Sequence, residues 1–235
     1  MHQPMLTLDF LDRGVDLYGD RVGVVADDGT EFTYDEFGER IDRLSNALSD
    51  LGLGRGDRVA ILSPNTHWFL ESLYAINQLG MVSVPLNYRL VADDYEYILG
   101  DCGVEAAIVD HDYRAEIEPI RGAVPTDEWI LHRGDRLDDG DDVSEEEAEY
   151  DAGSWHDYED LLAAADASSP TRPDISEDDP ATINYTSGTT GEPKGVVRTH
   201  RTEHWHALIT THHTEVSDDD AYLWTLPMFH VNGWG

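Results

Sequence analysis

Short apolar runs alternate with amphipathic segments along the first two thirds of the chain, and this alternation constrains the fold more than any other feature. The runs are rich in β-branched residues, whereas apolar positions in the intervening segments recur every three or four residues. Strands and helices that alternate at this spacing predict an α/β fold with a mostly parallel sheet flanked by helices. The predicted strands are 58–62, 81–85, 105–109 and 128–131, and the predicted helices are 66–79, 92–99, 113–121 and 158–165.

A β-hairpin and a capped helix are predicted ahead of this alternation. Two apolar runs, 21–26 and 31–33, flank an Asp-Gly turn, which favours a tight hairpin connection. Thr33 and Glu36 then have the spacing of a capping box, which starts a helix. Gly52 is expected to end that helix. Its apolar stripe is Phe37, Ile41, Leu44, Leu48 and Leu51.

The stretch from Tyr185 to Gly195, which reads Y-T-S-G-T-T-G-E-P-K-G, has the chemistry of a phosphate-binding loop. Four hydroxyl side chains and three glycines surround Lys194, the only lysine among the 15 basic residues. Glycine lets the backbone approach a ligand closely, hydroxyls and N–H groups bind phosphate oxygens, and lysine adds a compact positive charge. A flexible surface linker is the alternative, but predicted strands at 181–184 and 196–198 frame the loop.

The loop differs from the common Walker A motif, in which the lysine directly follows a glycine and precedes Ser or Thr at a helix start. Here Pro193 precedes Lys194, and Gly195 stands where Ser or Thr is needed. Proline lacks an N–H group and disfavours helix at the residue before it. The sequence therefore predicts a β-hairpin turn that closes over phosphates without a helix behind it.

Three segments together resemble the adenylate-forming superfamily, which includes acyl-CoA synthetases, luciferases and peptide-synthetase adenylation domains. The phosphate loop, followed by T-H-R at 199–201, resembles the loop of that superfamily and is its most specific sign. G-M-V-S-V-P-L-N-Y-R-L at 80–90 and P-M-F-H-V-N-G-W at 227–234 are similar to segments of its acyl-CoA synthetases. Their order and spacing fit from about residue 10 to the end of the chain.

The resemblance implies a two-step reaction. A carboxylate, here expected to come from a fatty acid, attacks the α-phosphate of ATP to give an acyl-adenylate and pyrophosphate; the thiol of coenzyme A then displaces AMP. Preorganised donors and Mg2+ would stabilise the charge on the phosphate oxygens. Members run to about twice this length, so residues 1–235 are expected to be the N-terminal part of the large adenylation domain, without its C-terminal part and small lid domain. Such a fragment is expected to complete neither half-reaction.

The resemblance also implies roles for individual residues. Lys194 and His230 are the implied catalytic residues, with His230 orienting the carboxylate. Thr186 is the implied Mg2+ residue, and Asn232 and Trp234 complete the acyl pocket with His230. The implied phosphate-binding residues are Thr186, Ser187, Gly188, Thr189, Thr190, Gly191 and Lys194.

Other readings stay open at the sequence level. Another adenylate-forming ligase, acting on aryl acids or loading a carrier protein, would carry the same phosphate loop. A non-catalytic remnant that binds nucleotide weakly fits the short chain. His200 and His204 are four residues apart on a predicted helix, 201–213, as zinc ligands can be, although no H-E-x-x-H motif is present. A further strand is predicted at 221–226, leading into the pocket segment.

The chain is very acidic, with 49 acidic residues against 15 basic ones and a net charge of −34. Nucleic acid and anionic membranes are poor partners for such a surface. Acid-rich, lysine-poor composition is typical of proteins kept soluble in concentrated salt, and we expect a haloarchaeal host. The melting temperature should therefore rise between about 0.1 M and about 3 M KCl as salt screens the repulsion.

The sequence indicates less about cellular location and oligomeric state than about the fold. The sequence has no apolar run long enough to span a membrane and no signal-peptide pattern, so a cytoplasmic protein is expected. Cys102 is the only cysteine, which excludes an intrachain disulfide. Residues from about 133 to 156 form a very acidic run that is expected to be a surface loop. Both a monomer and a homodimer remain open.

Overall fold

The structure, a computed structural model, describes residues 3–132, 155–186 and 192–230. A seven-stranded sheet forms its centre, in the order β7-β6-β5-β3-β4-β8-β9, and a separate hairpin pairs β1 with β2. The strands are β1 Val22–Val25, β2 Glu31–Thr33, β3 Arg58–Leu62, β4 Val82–Pro85, β5 Ala106–Asp110, β6 Glu128–His132, β7 His156–Asp157, β8 Pro180–Thr186 and β9 Lys194–Thr199. The α-helices are α1 Asp9–Tyr18, α2 Tyr34–Asp50, α3 His67–Gln78, α4 Ala92–Cys102, α5 Arg114–Ile117, α6 Tyr158–Ala164 and α7 His200–Thr214.

Six strands of the large sheet are parallel, and only β9 runs antiparallel to its neighbour. The chain winds outward from β3, to β4 on one side and then across to β5, β6 and β7 on the other. In doubly wound sheets of this kind, ligands bind outside the carboxyl ends of the strands. The predicted α/β class, with a mostly parallel sheet flanked by helices, is confirmed.

The two faces of the sheet pack into separate cores. Val59 and Ile61 of β3 contribute to a core that contains α2 and α3, whereas Ala60 and Leu62 contribute to a core that contains α4. This alternation follows from strand geometry, in which successive side chains point to opposite faces. Continuous burial of β3, β4 and β5 explains why these strands read as unbroken apolar runs.

The predicted hairpin and capped helix are confirmed. Thr33 Oγ1 accepts a hydrogen bond from the Glu36 backbone N at 3.2 Å, and Glu36 Oε2 accepts one from the Thr33 N at 2.8 Å. Gly52, directly after the C-cap residue of α2, has a φ of 91°, which a side chain would disfavour. The predicted residues Phe37, Ile41, Leu44 and Leu48 are buried, and Leu51 packs against them.

The predicted strand at 221–226 is wrong, because these residues form no regular secondary structure. An apolar, β-rich run becomes a strand only when a neighbouring strand pairs with it, and none does so among the described residues.

Smaller corrections affect three other predictions. Helix α4 runs on to Cys102, and α1 has no counterpart among the predicted helices. The predicted helix 113–121 divides into short helical turns around Pro119, which cannot donate a backbone hydrogen bond. Most of the predicted acidic loop, residues 133–154, lies outside the described residues. The last residue of that prediction, His156, belongs to β7. Within the described residues, no helix is long and apolar enough to cross a bilayer.

Candidate nucleotide and carboxylate site

The phosphate loop connects two antiparallel strands, β8 and β9, as the sequence predicted. Thr186 at the end of β8 is the cross-strand partner of Lys194 at the start of β9, and Tyr185 is the partner of Gly195. The chain leaves the loop in a strand, so no helix N-terminus stands behind it. Of the predicted phosphate-binding residues, Ser187, Gly188, Thr189, Thr190 and Gly191 lie outside the described residues, and their roles stay predictions.

Thr186 and Lys194 pair at the loop end of the hairpin, called its mouth below, and both are exposed. The Thr186 hydroxyl and the Lys194 ammonium belong to paired residues on neighbouring strands, so one anion at the mouth is within reach of both. Lys194 forms no ion pair with a carboxylate in the described part of the chain, despite the overall acidity. A hydroxyl and an exposed cation are a donor set that fits a polyphosphate with its Mg2+.

Helix α4 fastens both flanks of the hairpin. Tyr185 donates a hydrogen bond to Asp101 Oδ2 at 2.6 Å, and Tyr97 donates one to the Pro193 carbonyl oxygen at 3.2 Å. Burial and the neighbouring Asp101 carboxylate raise the pKa of Tyr185, so its hydroxyl remains a donor at neutral pH. No local sequence pattern indicates these two contacts, because each joins residues more than 80 positions apart.

Gly195 is needed because its cross-strand partner lies against it. A Cβ atom at Gly195 would stand 2.9 Å from the Ile183 side chain and 3.2 Å from the Tyr185 ring. Any larger residue would push the Tyr185 ring away from the backbone and from Asp101. Close packing in the hairpin therefore explains why a glycine stands at position 195, where a Walker A motif has Ser or Thr.

The pocket segment, residues 227–230 in the described chain, lies at the carboxyl edge of the sheet. Met228 is buried in the core that contains α2 and α3. Phe229 packs edge-on against Tyr88, which follows β4, with ring centroids 5.1 Å apart. His230 is exposed, and its backbone N donates to the Pro227 carbonyl oxygen at 3.1 Å, which closes a turn. Asn232 and Trp234 lie outside the described residues and remain predictions.

One side chain links the pocket segment to the phosphate hairpin. Asn184 Nδ2, on β8, donates to the Phe229 carbonyl oxygen at 3.4 Å. Alternate residues of a strand point to the same face, so Asn184 and Thr186 share a face of β8. The segment that carries His230 is thereby attached two residues from the mouth of the hairpin. The structure thus brings the described members of the predicted site, Thr186, Lys194 and His230, to one edge of the sheet.

A second asparagine, Asn65, holds the same segment and was missed by the sequence analysis. It lies three residues after the end of β3, in the S-P-N stretch at 63–65. Its side-chain amide forms hydrogen bonds with the backbone of residues 224, 226 and 228. No local signal could have revealed this contact, since the partners lie about 160 positions further along the chain.

The histidines of the zinc alternative have structural partners. His200 Nδ1 lies 3.1 Å from Thr7 Oγ1, and His204 Nδ1 lies 2.9 Å from the Leu6 carbonyl oxygen. Burial lowers the pKa of His200 to about 4, so it is neutral at physiological pH. The described ranges contain no group of three or more His, Cys, Asp or Glu residues placed to hold a metal. Thr199 caps α7, and the two histidines tie that helix to the N-terminal segment.

Comparison with known proteins identifies the family of this chain. The family model for "AMP-binding enzyme" matches residues 11–235. The chain is 34% identical over 232 residues to the probable acyl-activating enzyme 5, peroxisomal, of Arabidopsis thaliana, covering 98% of this chain and 42% of that protein. It is 32% identical over 235 residues to a peroxisomal butyrate–CoA ligase of the same plant, covering 98% of this chain and 40% of the relative.

A solved structure extends the comparison to three dimensions. The fold superposes on the putative long-chain-fatty-acid CoA ligase of Rhodopseudomonas palustris with a TM-score of 0.82 and 26% identity. The match covers 98% of this chain and 53% of that protein. The chain thus spans only about two fifths to one half of the relatives it matches. It belongs to the family of AMP-binding enzymes, and it corresponds to the N-terminal part of the CoA ligases in that family.

Proposed function

We propose that this chain is the phosphate- and carboxylate-binding part of an ATP-dependent acyl-CoA synthetase that acts on a fatty acid. The observation that carries the proposal is the pairing of Thr186 with Lys194 at the mouth of the β8–β9 hairpin, with the His230 segment attached to the same strand through Asn184. In this proposal the triphosphate of ATP binds at the hairpin, and the acid that attacks its α-phosphate binds beside it.

Each residue has a proposed task in the first half-reaction. Lys194 and the loop residues Ser187 to Gly191 bind the β- and γ-phosphates and stabilise the charge that passes to pyrophosphate. The Thr186 hydroxyl helps to hold Mg2+ on those phosphates. His230 orients the carboxylate toward the α-phosphate, while Asn232 and Trp234 line the space for the acyl chain. The thiol of coenzyme A takes the acyl group in the second half-reaction.

A fatty acid is proposed as substrate because the family relatives of this chain include a butyrate–CoA ligase and a 4-hydroxybutyrate–CoA ligase. Both names describe short, unbranched aliphatic acids. An aryl-CoA ligase or a carrier-protein loader is the alternative, and a non-catalytic remnant is the third reading. A panel of aliphatic and aromatic acids, offered with coenzyme A or a carrier protein to a polypeptide that spans the whole ligase, separates the first two.

The 235 residues by themselves are proposed to complete neither half-reaction, because they span only about 42% of a curated relative. Exchange of radioactive pyrophosphate into ATP by the purified chain, with any acid of the panel, would contradict this proposal. We further propose a salt-rich cytoplasm as its location, on the basis of the net charge of −34. Sedimentation in concentrated KCl decides between a monomer and a homodimer.

Binding of Mg-pyrophosphate to the 235-residue chain tests the proposed site directly. Lys194→Ala removes the charge at the hairpin mouth and should weaken binding about 10- to 100-fold, the usual range for a hydrogen bond to a charged group. Arg55→Ala is the control, since it removes an exposed cation that pairs with Asp179. Titration calorimetry, at a KCl concentration that keeps the wild type folded, measures both. Equal binding by wild type and Lys194→Ala would contradict the proposed site.

A further inference from the structure

The side chain of Asn65 uses both ends of its amide on one stretch of backbone. Its Nδ2 donates to the carbonyl oxygens of Trp224, at 3.3 Å, and Leu226, at 2.8 Å. Its Oδ1 accepts from the backbone N of Met228 at 2.8 Å. These three hydrogen bonds reach alternate residues, as a neighbouring strand would. They also determine which end of the amide carries the oxygen: the nitrogen faces two carbonyl oxygens, and the oxygen faces one backbone N–H group.

The contact ends just before the turn that presents His230. The Met228 N–H is held by Asn65, and one residue further on the Phe229 carbonyl oxygen accepts from Asn184 Nδ2 at 3.4 Å. The turn then closes with the hydrogen bond from His230 N to the Pro227 oxygen. Residues 221–226 form no strand, so a ladder does not fix their position. The amide of Asn65 takes the place of such a ladder and joins the segment to the end of β3.

The pocket segment is also held by the packing of two of its side chains. Met228 is anchored in the core, and Phe229 lies edge-on against Tyr88. Apolar contacts are largely non-directional, whereas hydrogen bonds need a defined distance and angle and therefore fix the backbone in register. Asn65 supplies three hydrogen bonds to the segment and Asn184 supplies one, so Asn65 contributes most to where along the carboxyl edge of the sheet the turn with His230 lies.

We propose that Asn65 is a positioning residue for the site: it sets the location of His230 through the backbone of residues 226–228. The consequence for catalysis rests on the proposed function, in which His230 orients the acid. The positioning itself does not, because it concerns only the contacts of this chain. A structural role alone would make Asn65 contribute to folding stability and leave the environment of the His230 ring unchanged once the protein is folded.

Three variants of the 235-residue chain separate these two roles. Asn65→Ala removes all three hydrogen bonds, and Asn65→Asp keeps the shape but loses both donors. Asn46→Ala is the matched control, because Asn46 Nδ2 also donates to two backbone carbonyls, those of Asp166 and Ser168, each at 2.8 Å. That control lies on α2, and its two hydrogen bonds go to residues that precede β8. Should Asn65→Ala fail to fold, Asn65→Asp still supplies the His230 readout, because it loses the two hydrogen bonds to the Trp224 and Leu226 carbonyl oxygens and keeps the acceptor for the Met228 N–H.

Two readouts apply, neither of which requires activity. Hydrogen exchange of the Met228 amide should become about five- to tenfold faster in Asn65→Ala than in the wild type, and remain unchanged in Asn46→Ala. The NMR signal of the His230 ring, assigned by its loss in His230→Gln, should shift in both Asn65 variants and not in the control. An unchanged His230 signal, or Met228 exchange within about twofold of the wild type, overturns the proposal.

An activity measurement then distinguishes failure of this inference from failure of the proposed function. In a polypeptide that spans the whole ligase, Asn65→Ala should raise the KM for the acid and lower kcat, with little change in the KM for ATP. If His230→Gln leaves acid activation unaltered while Asn65→Ala moves the His230 signal, the positioning stands and the proposed role of His230 is wrong. If Asn65→Ala changes neither KM nor kcat while His230→Gln does, Asn65 has no positioning role in the reaction.

Discussion

Two regions of the molecule differ in how their apolar side chains are covered. The helical layer, made of α2, α3 and α6, is closed: Ile41, Leu44 and Leu48 are all 0% exposed. The open face, made of β9, α7 and residues 221–226, is not covered within the described chain. Its apolar side chains include Val197 at 56%, Trp205 at 50%, Ile209 at 50% and Leu223 at 82% exposed.

The difference shows where the chain obtains its stability. Burial stabilises a fold by about 25 cal/mol for each Å² of apolar surface removed from water. The helical layer and the two cores of the sheet provide this gain, whereas the open face does not. The open face lies next to the candidate site and leaves large apolar side chains exposed to water, which is typical of binding surfaces. We expect substitutions to separate the two regions clearly, and the following variants test that expectation.

The largest expected effect comes from the ion pairs inside the helical layer. Arg40 donates to Glu71 at 2.6 Å and to Glu159 at 2.7 Å, and Tyr158 donates to Glu71 at 2.9 Å. Glu71 is fully buried, and this burial raises its pKa against the opposing effect of Arg40. Arg40→Met keeps the aliphatic stem but leaves a buried carboxylate without its cation, which should cost about 3–5 kcal/mol of unfolding free energy.

Chemical denaturation in concentrated KCl measures this loss. Arg55→Met is the matched control, because Arg55 pairs with Asp179 while its side chain is 51% exposed. An exposed pair is worth about 0.2–1 kcal/mol. If Arg40→Met and Arg55→Met lower the unfolding free energy by the same amount, the buried ion pairs contribute no more to stability than an exposed pair does.

The next effect compares one apolar side chain from each region. Leu44→Ala creates a cavity in the helical layer and should cost about 2–5 kcal/mol. Ile209→Ala removes a similar volume from the open face and should stay within about 0.5 kcal/mol of the wild type. Urea titrations of both variants, evaluated with a common slope, give the two values. A loss above about 2 kcal/mol for Ile209→Ala would mean that the open face is covered in solution.

The same contrast explains which features the sequence could predict. Helix α2 was predictable because Thr33, Glu36 and the apolar stripe lie within a few turns of each other, and the phosphate hairpin because its glycines, proline and flanking runs are contiguous. These signals are local, and local signals survive without knowledge of the rest of the chain.

Long-range contacts could not be predicted in this way. The strand expected at 221–226 depends on a partner that no pattern in the run itself identifies. The link from Asn65 to Met228 and the pairing of Arg40 with Glu159 join residues 163 and 119 positions apart. For a single sequence, an asparagine after a strand indicates a turn, and an arginine on a helix indicates a solvated face. The sequence therefore predicted the hairpin that carries the proposed phosphate-binding residues, but not the distant residues that hold this hairpin and the pocket segment.

The effect that is smallest at neutral pH is a pH dependence of the helical layer. His132, at the end of β6, is 1% exposed, stacks on Trp68 at 5.0 Å and has no hydrogen-bond partner for its ring nitrogens in the described chain. Burial lowers the pKa of His132 to about 3, with a further contribution from His67 and an opposing one from Glu159. Asp110 lies 3.8 Å away and does not compensate for the burial.

The sign of the effect follows from the direction of the shift. Between the ordinary histidine pKa of about 6.5 and the folded value of about 3, the unfolded chain binds a proton at His132 that the folded chain does not. Stability should therefore be unaffected by His132 above pH 6.5 or so, and fall by up to about 1.4 kcal/mol per pH unit below it. His132→Phe keeps the ring stack and should reduce this slope while costing less than about 1.5 kcal/mol at neutral pH. Denaturation at a series of pH values checks this, and an unchanged slope in His132→Phe would assign the acid sensitivity to other groups such as His67, whose pKa burial lowers to about 4.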